Sequence, residues 1–223
     1  MAFADWDIVG PNAQVDNTLL ANPLPQPWAG QYCREVGTPG VDASILINAG
    51  YQGGAFIGVS TNKVIRVRGC IRRVTNTGGY IGGLTARFLN YGSQRGYTIA
   101  YNAWNQTITL NVSDNTTYVL PVTGNVFNPD WFSMEMIVYP IGEAGDRIVV
   151  SQELVPGSGT YTPLSINGGV PTEGIYISSL TAGYAPINVS TRCGIVSPSA
   201  VFNNAGNILV DKVNIALSTS PAI

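Results

Sequence analysis

The chain has 223 residues, of which 45% are hydrophobic and 11% are charged, and its formal net charge is −2 at pH 7. This length suffices for one large domain with a buried core, and the slightly negative charge excludes a general electrostatic attraction to nucleic acid or to an anionic membrane. The absence of histidine excludes imidazole base catalysis and histidine-ligated metal sites.

The N-terminus and the cysteines indicate where the protein folds. Asp5 and Asp7 stand where a signal peptide has basic residues, and no apolar segment follows them. The three cysteines, Cys33, Cys70 and Cys193, are an odd number at spacings that fit no disulfide or metal framework. We therefore expect reduced thiols in a protein that folds in cytoplasm and uses no cofactor.

Residues 1–40 differ in kind from the rest of the chain. The segment NPLPQPW at 22–28 must run extended, because each proline fixes its own backbone and disfavours a helical conformation of the residue before it. We predict an extended arm over residues 1–40 and a β-sandwich domain over 41–223. The arm is either a strap across its own domain or a segment that lies on a neighbouring subunit. The residues expected to anchor it are Trp6, Pro23, Pro25, Pro27 and Trp28.

A long strand is predicted over Lys63–Val74, where apolar and basic residues alternate. Its basic face carries three arginines, which are Arg66, Arg68 and Arg72. One interpretation of this basic strand face is an anion-binding or nucleic-acid-binding surface. The favoured one is a solvated face or a set of salt bridges to a partner chain, because no aromatic residues stand between the arginines as a stacking platform needs.

Short strands account for most of the remaining chain, because 26 glycines and 14 prolines interrupt it too often for helices. A meander is predicted over 130–164, and in its first strand Phe132, Met134, Met136 and Val138 share one face. Further strands are predicted at 42–47, 55–59, 80–89, 96–101, 107–112, 118–122, 174–180, 189–195 and 208–217. This pattern predicts an all-β fold of two packed antiparallel sheets.

A candidate glycan site lies at a predicted hairpin tip, in the segment YNAWN at 101–105. Sugar sites combine an aromatic face with amide or carboxylate groups, which here are Tyr101, Asn102, Trp104 and Asn105. The alternative is that Trp104 closes the sandwich edge and the asparagines serve the turn.

The order of several strands resembles a known family. The segments RVRGCIRR, GGYIGGLTARFLN, GYTIAYNAWNQTITL, DWFSMEMIVY, GDRIVVSQE and NILVDKVNIAL resemble the concanavalin A-like, laminin G-like jelly-roll sandwich over residues 40–218. More narrowly, they are similar to versions of it in tailed-phage virion proteins. The family includes lectins, glucanases and assembly modules, so the resemblance implies the fold and not one function.

The resemblance also bears on catalysis. Glucanases of this fold carry Glu-x-Asp-x-x-Glu on one strand, whereas Glu135 stands alone on its strand here, so we expect no enzyme. The favoured function is a phage capsid decoration or cement protein that binds the major capsid protein or other virion subunits. It is expected to be a homo-oligomer, a trimer being one option. The alternative is a tail or fibre module that binds host glycans. Both hypotheses place the protein in the virion.

Overall fold

The computed structural model describes residues 6–9, 13–16, 32–36, 43–47, 63–73, 80–88, 96–102, 107–112, 117–121, 131–155, 158–181, 192–197 and 207–218. Within these ranges the regular elements are β-strands, apart from one 3-10 turn at Gly142–Ala144. In chain order the strands are β1 (Trp6–Val9), β2 (Ala13–Asp16), β3 (Tyr32–Val36), β4 (Ala43–Ile47), β5 (Val64–Arg73), β6 (Tyr80–Phe88), β7 (Tyr97–Asn102), β8 (Thr107–Asn111), β9 (Thr117–Pro121), β10 (Trp131–Pro140), β11 (Gly145–Glu153), β12 (Tyr161–Pro163), β13 (Ile175–Ser178), β14 (Arg192–Ser197) and β15 (Asn207–Ser218).

The strands form two antiparallel sheets. The first sheet has the order β1-β4-β14-β6-β7-β8-β9, and the second has the order β12-β11-β10-β5-β15-β3-β2, with β13 also paired to β11. This arrangement confirms the predicted all-β, two-sheet sandwich, and β10, β11 and β12 form the predicted meander. The predicted strand at 55–59 lies outside the described residues.

The core lies between the two sheets and is built by alternation along each strand. On β10 the predicted inward set of Phe132, Met134, Met136 and Val138 is at most 7% exposed. On β8, Ile108 and Leu110 face the same core, in which Val112, just beyond the strand, is also buried. Burial of each such side chain stabilises the folded state by roughly 1.5–3 kcal/mol, because apolar surface is removed from water. The sequence predicted a half-buried β10, but its outer face is buried as well.

A buried ion pair connects the two sheets inside this core. Arg87 on β6 is 1% exposed and Asp146 on β11 is not exposed, and Arg87 Nη2 lies 3.0 Å from Asp146 Oδ1. The hydroxyl of Tyr97 on β7 donates a hydrogen bond of 2.5 Å to Asp146 Oδ2. Burial raises the pKa of Asp146, and the Arg87 charge and the Tyr97 hydrogen bond oppose that rise. This network ties one end of β11 to the opposite sheet.

The described parts of the predicted arm are strands of the sandwich. Trp6–Val9 pairs with β4 in the first sheet, and β2 pairs with β3, which pairs with β15 in the second sheet. Strands on both sides of residue 40 therefore share the two sheets, and these three parts of the arm lie within the domain. The proline-rich segment at 22–28 lies outside the described residues, so its position on a neighbouring subunit stays a prediction.

Candidate functional site

Arginine and tyrosine side chains gather on the outer face of the second sheet, on strands that lie side by side. The strand pairing places Glu135 opposite Arg68, Tyr139 opposite Arg147, and Arg147 opposite Tyr176. Residues directly opposite in an antiparallel pair point to the same face of the sheet. We call this surface the arginine–tyrosine face, and its members are Arg66, Arg68, Glu135, Tyr139, Arg147, Tyr161 and Tyr176.

Glu135 is at the centre of this face and is ion-paired with two arginines. Arg66 Nε lies 3.3 Å from Glu135 Oε2, and Arg68 Nε donates a hydrogen bond to the same oxygen. The side chain of Glu135 is 4% exposed, whereas those of Arg66 and Arg68 are 14% and 30% exposed. Burial lowers the pKa of Arg66 and the charge of Arg68 acts in the same direction, while Glu135 opposes them. One carboxylate oxygen thus holds two guanidinium groups in place.

Tyr161 extends the site toward the sheet edge. The guanidinium carbon of Arg68 lies 4.4 Å from the centre of the Tyr161 ring, which is a cation–π contact. The Tyr161 hydroxyl lies 3.2 Å from Ser133 Oγ on β10. Burial raises the pKa of Tyr161, so its hydroxyl stays protonated and can donate or accept a hydrogen bond at neutral pH.

A second arginine–aromatic contact lies at the other end of the face. The guanidinium carbon of Arg147 on β11 is 4.1 Å from the centre of the Tyr139 ring on β10. Tyr176 on β13 stands next in the same cross-strand row and is 65% exposed. Arg66 stands opposite Ile137 on β10, between the positions of Glu135 and Tyr139, so it lies between the two ends of the face.

Glu153 is a second buried carboxylate near this face. It lies opposite Tyr161 in the pairing of β11 with β12 and is 4% exposed. Its Oε1 accepts hydrogen bonds from the backbone N–H of Gly159, at 2.5 Å, and from Ser158 Oγ, at 3.4 Å. Glu153 therefore holds the turn before β12. Like Glu135, it is too deeply buried to present its carboxylate to a substrate.

The structure corrects part of the glycan site predicted from the sequence. Tyr101 is on β7 and fully buried, with its ring stacked on Phe132 at 4.0 Å and an interplanar angle of 10°. Its ring lies in the core and cannot pack against a sugar. Asn102 is 5% exposed on the same strand. Trp104 and Asn105 lie outside the described residues.

The other predicted site residues fall into two groups. Arg66 and Arg68 are together, as predicted for the basic strand face, but their salt bridges are to Glu135 of the same chain. Aromatic residues do accompany them, because β10 and β12 supply Tyr139 and Tyr161, contrary to the sequence argument against a stacking platform. Arg72 lies on β5 and Trp6 lies on β1. For both residues the structure describes the backbone strand and not the side chain. Pro23, Pro25, Pro27 and Trp28 lie outside the described residues.

The described residues show neither a metal-ligand cluster nor a membrane-spanning helix. They contain no group of three acidic or cysteine side chains that could hold a metal ion. No helix among them is long and apolar enough to cross a membrane.

Comparisons with known proteins agree on the fold. No protein family and no curated protein sequence matches the chain. Among solved structures, lectin I-B4 from Griffonia simplicifolia is similar with a TM-score of 0.52 at 10% identity, covering 96% of this chain and 94% of the lectin. The exoplasmic domain of VIP36, bound to Ca²⁺ and Man3GlcNAc, has a TM-score of 0.51 at 12% identity. The similarity covers 100% of this chain and 86% of the VIP36 domain.

One similar structure is an enzyme. An engineered GH43 glycoside hydrolase has a TM-score of 0.51 at 10% identity, covering 84% of this chain but 34% of the hydrolase. At such low identities these similarities concern the fold alone. The chain is similar to these three solved structures in fold.

Proposed function

We propose that the chain is a non-enzymatic glycan-binding module and that it binds through the arginine–tyrosine face. The observation that carries this proposal is the cluster in which Arg68 covers the Tyr161 ring while Arg66 and Arg68 share Glu135. Sugar rings pack their apolar C–H groups against flat aromatic or guanidinium surfaces, and their hydroxyls need a few fixed polar partners. The face offers both kinds of group.

The geometry of the face supports a shallow site for an extended ligand. Tyr161 and Tyr176 belong to strands that both pair with β11, at its two ends, and the charged residues lie between these tyrosines. A saccharide of several units has the length to contact both ends. The exposed Tyr176 provides a ring at one end, and the partly exposed Arg68 provides a planar surface at the other.

The similar solved structures support the same proposal without identifying a sugar. Lectin I-B4 is a lectin by name, and VIP36 was solved with Man3GlcNAc bound. Combined with the phage-like strand pattern of the sequence, they favour a tail or fibre module of a virion that binds host glycans. The capsid decoration hypothesis stays a prediction, because it depends on the arm, and the strands described there pair within this chain.

A glycan array probed with the full-length chain tests the proposal. We expect wild type to be retained on a subset of glycans and Tyr176→Ala to lose most of that retention. Leu180→Ala is the matched control, since it truncates a 93% exposed side chain in the turn after β13 and should bind normally. A blank array with folded wild type contradicts glycan binding. Loss of retention in Trp104→Ala but not in Tyr176→Ala would place the site in the 101–105 segment instead.

A further inference from the structure

We infer that the arginine–tyrosine face selects saccharides that carry a carboxylate, such as uronic or sialic acid units. The inference rests on the proposed glycan-binding function and names the class of ligand. It depends on three features of the face: the atoms used by its ion pairs, its balance of charge, and the shape of the guanidinium group.

The ion pairs of the two arginines involve Nε and not the terminal nitrogens. Both Arg66 and Arg68 contact Glu135 through Nε, and both contact the same oxygen, Oε2. No described residue accepts a hydrogen bond from the terminal nitrogens of either arginine. A guanidinium group has five N–H donors, and the four on the terminal nitrogens of Arg68, whose side chain is 30% exposed, are more accessible to a ligand than those of Arg66, which is 14% exposed.

Among the described side chains of this surface, positive charges outnumber negative ones. The described charged side chains that point outward from β5, β10 and β11 are Arg66, Arg68, Arg147, Glu135 and Glu153. Three positive charges and two negative charges leave a balance of +1, on a chain whose total is −2. Arg66 and Arg68 are two residues apart on β5 and their like charges repel, and among the described residues Glu135 is the ion-pair partner of both. A carboxylate on the ligand adds a second negative charge, so that each guanidinium group has its own anion.

The geometry favours a carboxylate that is part of a sugar. The planar fork of arginine matches a carboxylate in two parallel hydrogen bonds. The Arg68 guanidinium carbon lies 4.4 Å from the centre of the Tyr161 ring, and the side chain keeps 30% of its surface exposed for contact with a ligand. A free carboxylate ion only balances the positive charge of the arginines. An acidic saccharide balances that charge and also contacts Tyr176 at the far end of the face.

Isothermal titration calorimetry with two matched pairs of probes tests the inference. The pairs are hexagalacturonate against its carboxyl-reduced hexamer, and sialyllactose against lactose. In 50 mM NaCl we expect the acidic member of at least one pair to bind about tenfold or more tightly than its neutral partner, and 0.5 M NaCl to remove most of the difference. A sulfated form of the reduced hexamer tests whether carboxylate shape matters, and it should bind more weakly than hexagalacturonate.

Variants show whether the arginines are responsible. Arg68→Gln should reduce affinity for the acidic probe about tenfold more than it reduces affinity for the neutral probe, so that most of the acidic preference is lost. Arg68→Lys, which keeps the charge without the fork, should give an intermediate affinity. Lys63→Gln is the matched control, since it removes a positive charge just before β5 and should leave the acidic preference intact.

The outcomes separate this inference from the proposed function. Equal affinity of wild type for both members of each pair, or an acidic preference that persists in a folded Arg68→Gln, overturns the inference while glycan binding stands. A sulfated hexamer that binds as tightly as hexagalacturonate overturns the preference for carboxylates. If no probe and no arrayed glycan binds, both proposals are wrong. Should Arg68→Gln fail to fold, the salt dependence of the wild-type preference decides the question.

Discussion

The buried ion pair between Arg87 and Asp146 gives the sharpest test of the structure. Asp146→Asn keeps the shape of the side chain but removes the counter-charge of a guanidinium that is 1% exposed. Breaking a buried pair by removing one partner costs about 3–5 kcal/mol, because the remaining charge is left in a poorly solvating interior. For a domain of this size 1 kcal/mol corresponds to roughly 2–4 °C in Tm. We therefore expect Asp146→Asn to lower Tm by about 6–20 °C.

Scanning calorimetry or circular dichroism measures this change directly. Glu143→Gln is the matched control, because it removes the same charge from an exposed position three residues earlier and should change Tm by less than about 2 °C. The double variant Arg87→Met with Asp146→Ala should be more stable than the sum of the two single effects predicts, since no unpaired charge remains. A decrease below about 3 °C for Asp146→Asn would refute the assignment of a buried ion pair.

Three further predictions concern other described residues. Glu135→Gln should destabilise the protein less than Asp146→Asn does, by about 1–3 kcal/mol in urea unfolding, because Arg66 and Arg68 remain partly solvated. Gly174→Ala should lower Tm far more than the control Gly168→Ala: both glycines have positive φ, at +68° and +75°, but an added Cβ lies 2.1 Å from the Ile148 carbonyl oxygen at 174 and meets nothing within 4 Å at 168. Cys193 should resist iodoacetamide at pH 8.5 until the protein is unfolded, as followed by peptide mass spectrometry, because burial raises its pKa to about 12.

Most strands can be predicted from the sequence because each has its own alternation of apolar and polar residues. On β10 the alternation of Phe132, Met134 and Met136 identifies the core face without knowledge of any neighbour. The same rule failed at Tyr101, which was assigned to a hairpin tip. The strand continues through Asn102, and Tyr97, Ile99 and Tyr101 alternate toward the core. The short strands near the N-terminus were missed because four or five residues give too few alternations to detect.

The arginine–tyrosine face could not be predicted because it depends on which strands are neighbours. Arg68 and Glu135 are 67 residues apart in the chain, and their contact follows from the pairing of β5 with β10. The tyrosines that accompany the arginines come from β10 and β12. Alternation does show that Arg66 and Arg68 share a face of β5 and that Glu135 and Tyr139 share a face of β10, but it does not show that these two faces adjoin. Strand order in a sandwich is set by the packing of the whole domain rather than by local pattern.

Glu135 connects the stability of the fold to the function proposed for it. Its carboxylate orients Arg66 and Arg68 and neutralises one of their two charges, so the arginines are held in place without being fully paired. A ligand then meets guanidinium groups whose rotamers are already fixed, which lowers the entropy lost on binding. The same carboxylate limits affinity for anions, because it competes with a bound carboxylate for the arginines. Replacing Glu135 by an apolar residue relieves that competition but releases the two arginines from their common position. A built-in carboxylate therefore suits a face that recognises an acidic sugar through geometry as well as charge.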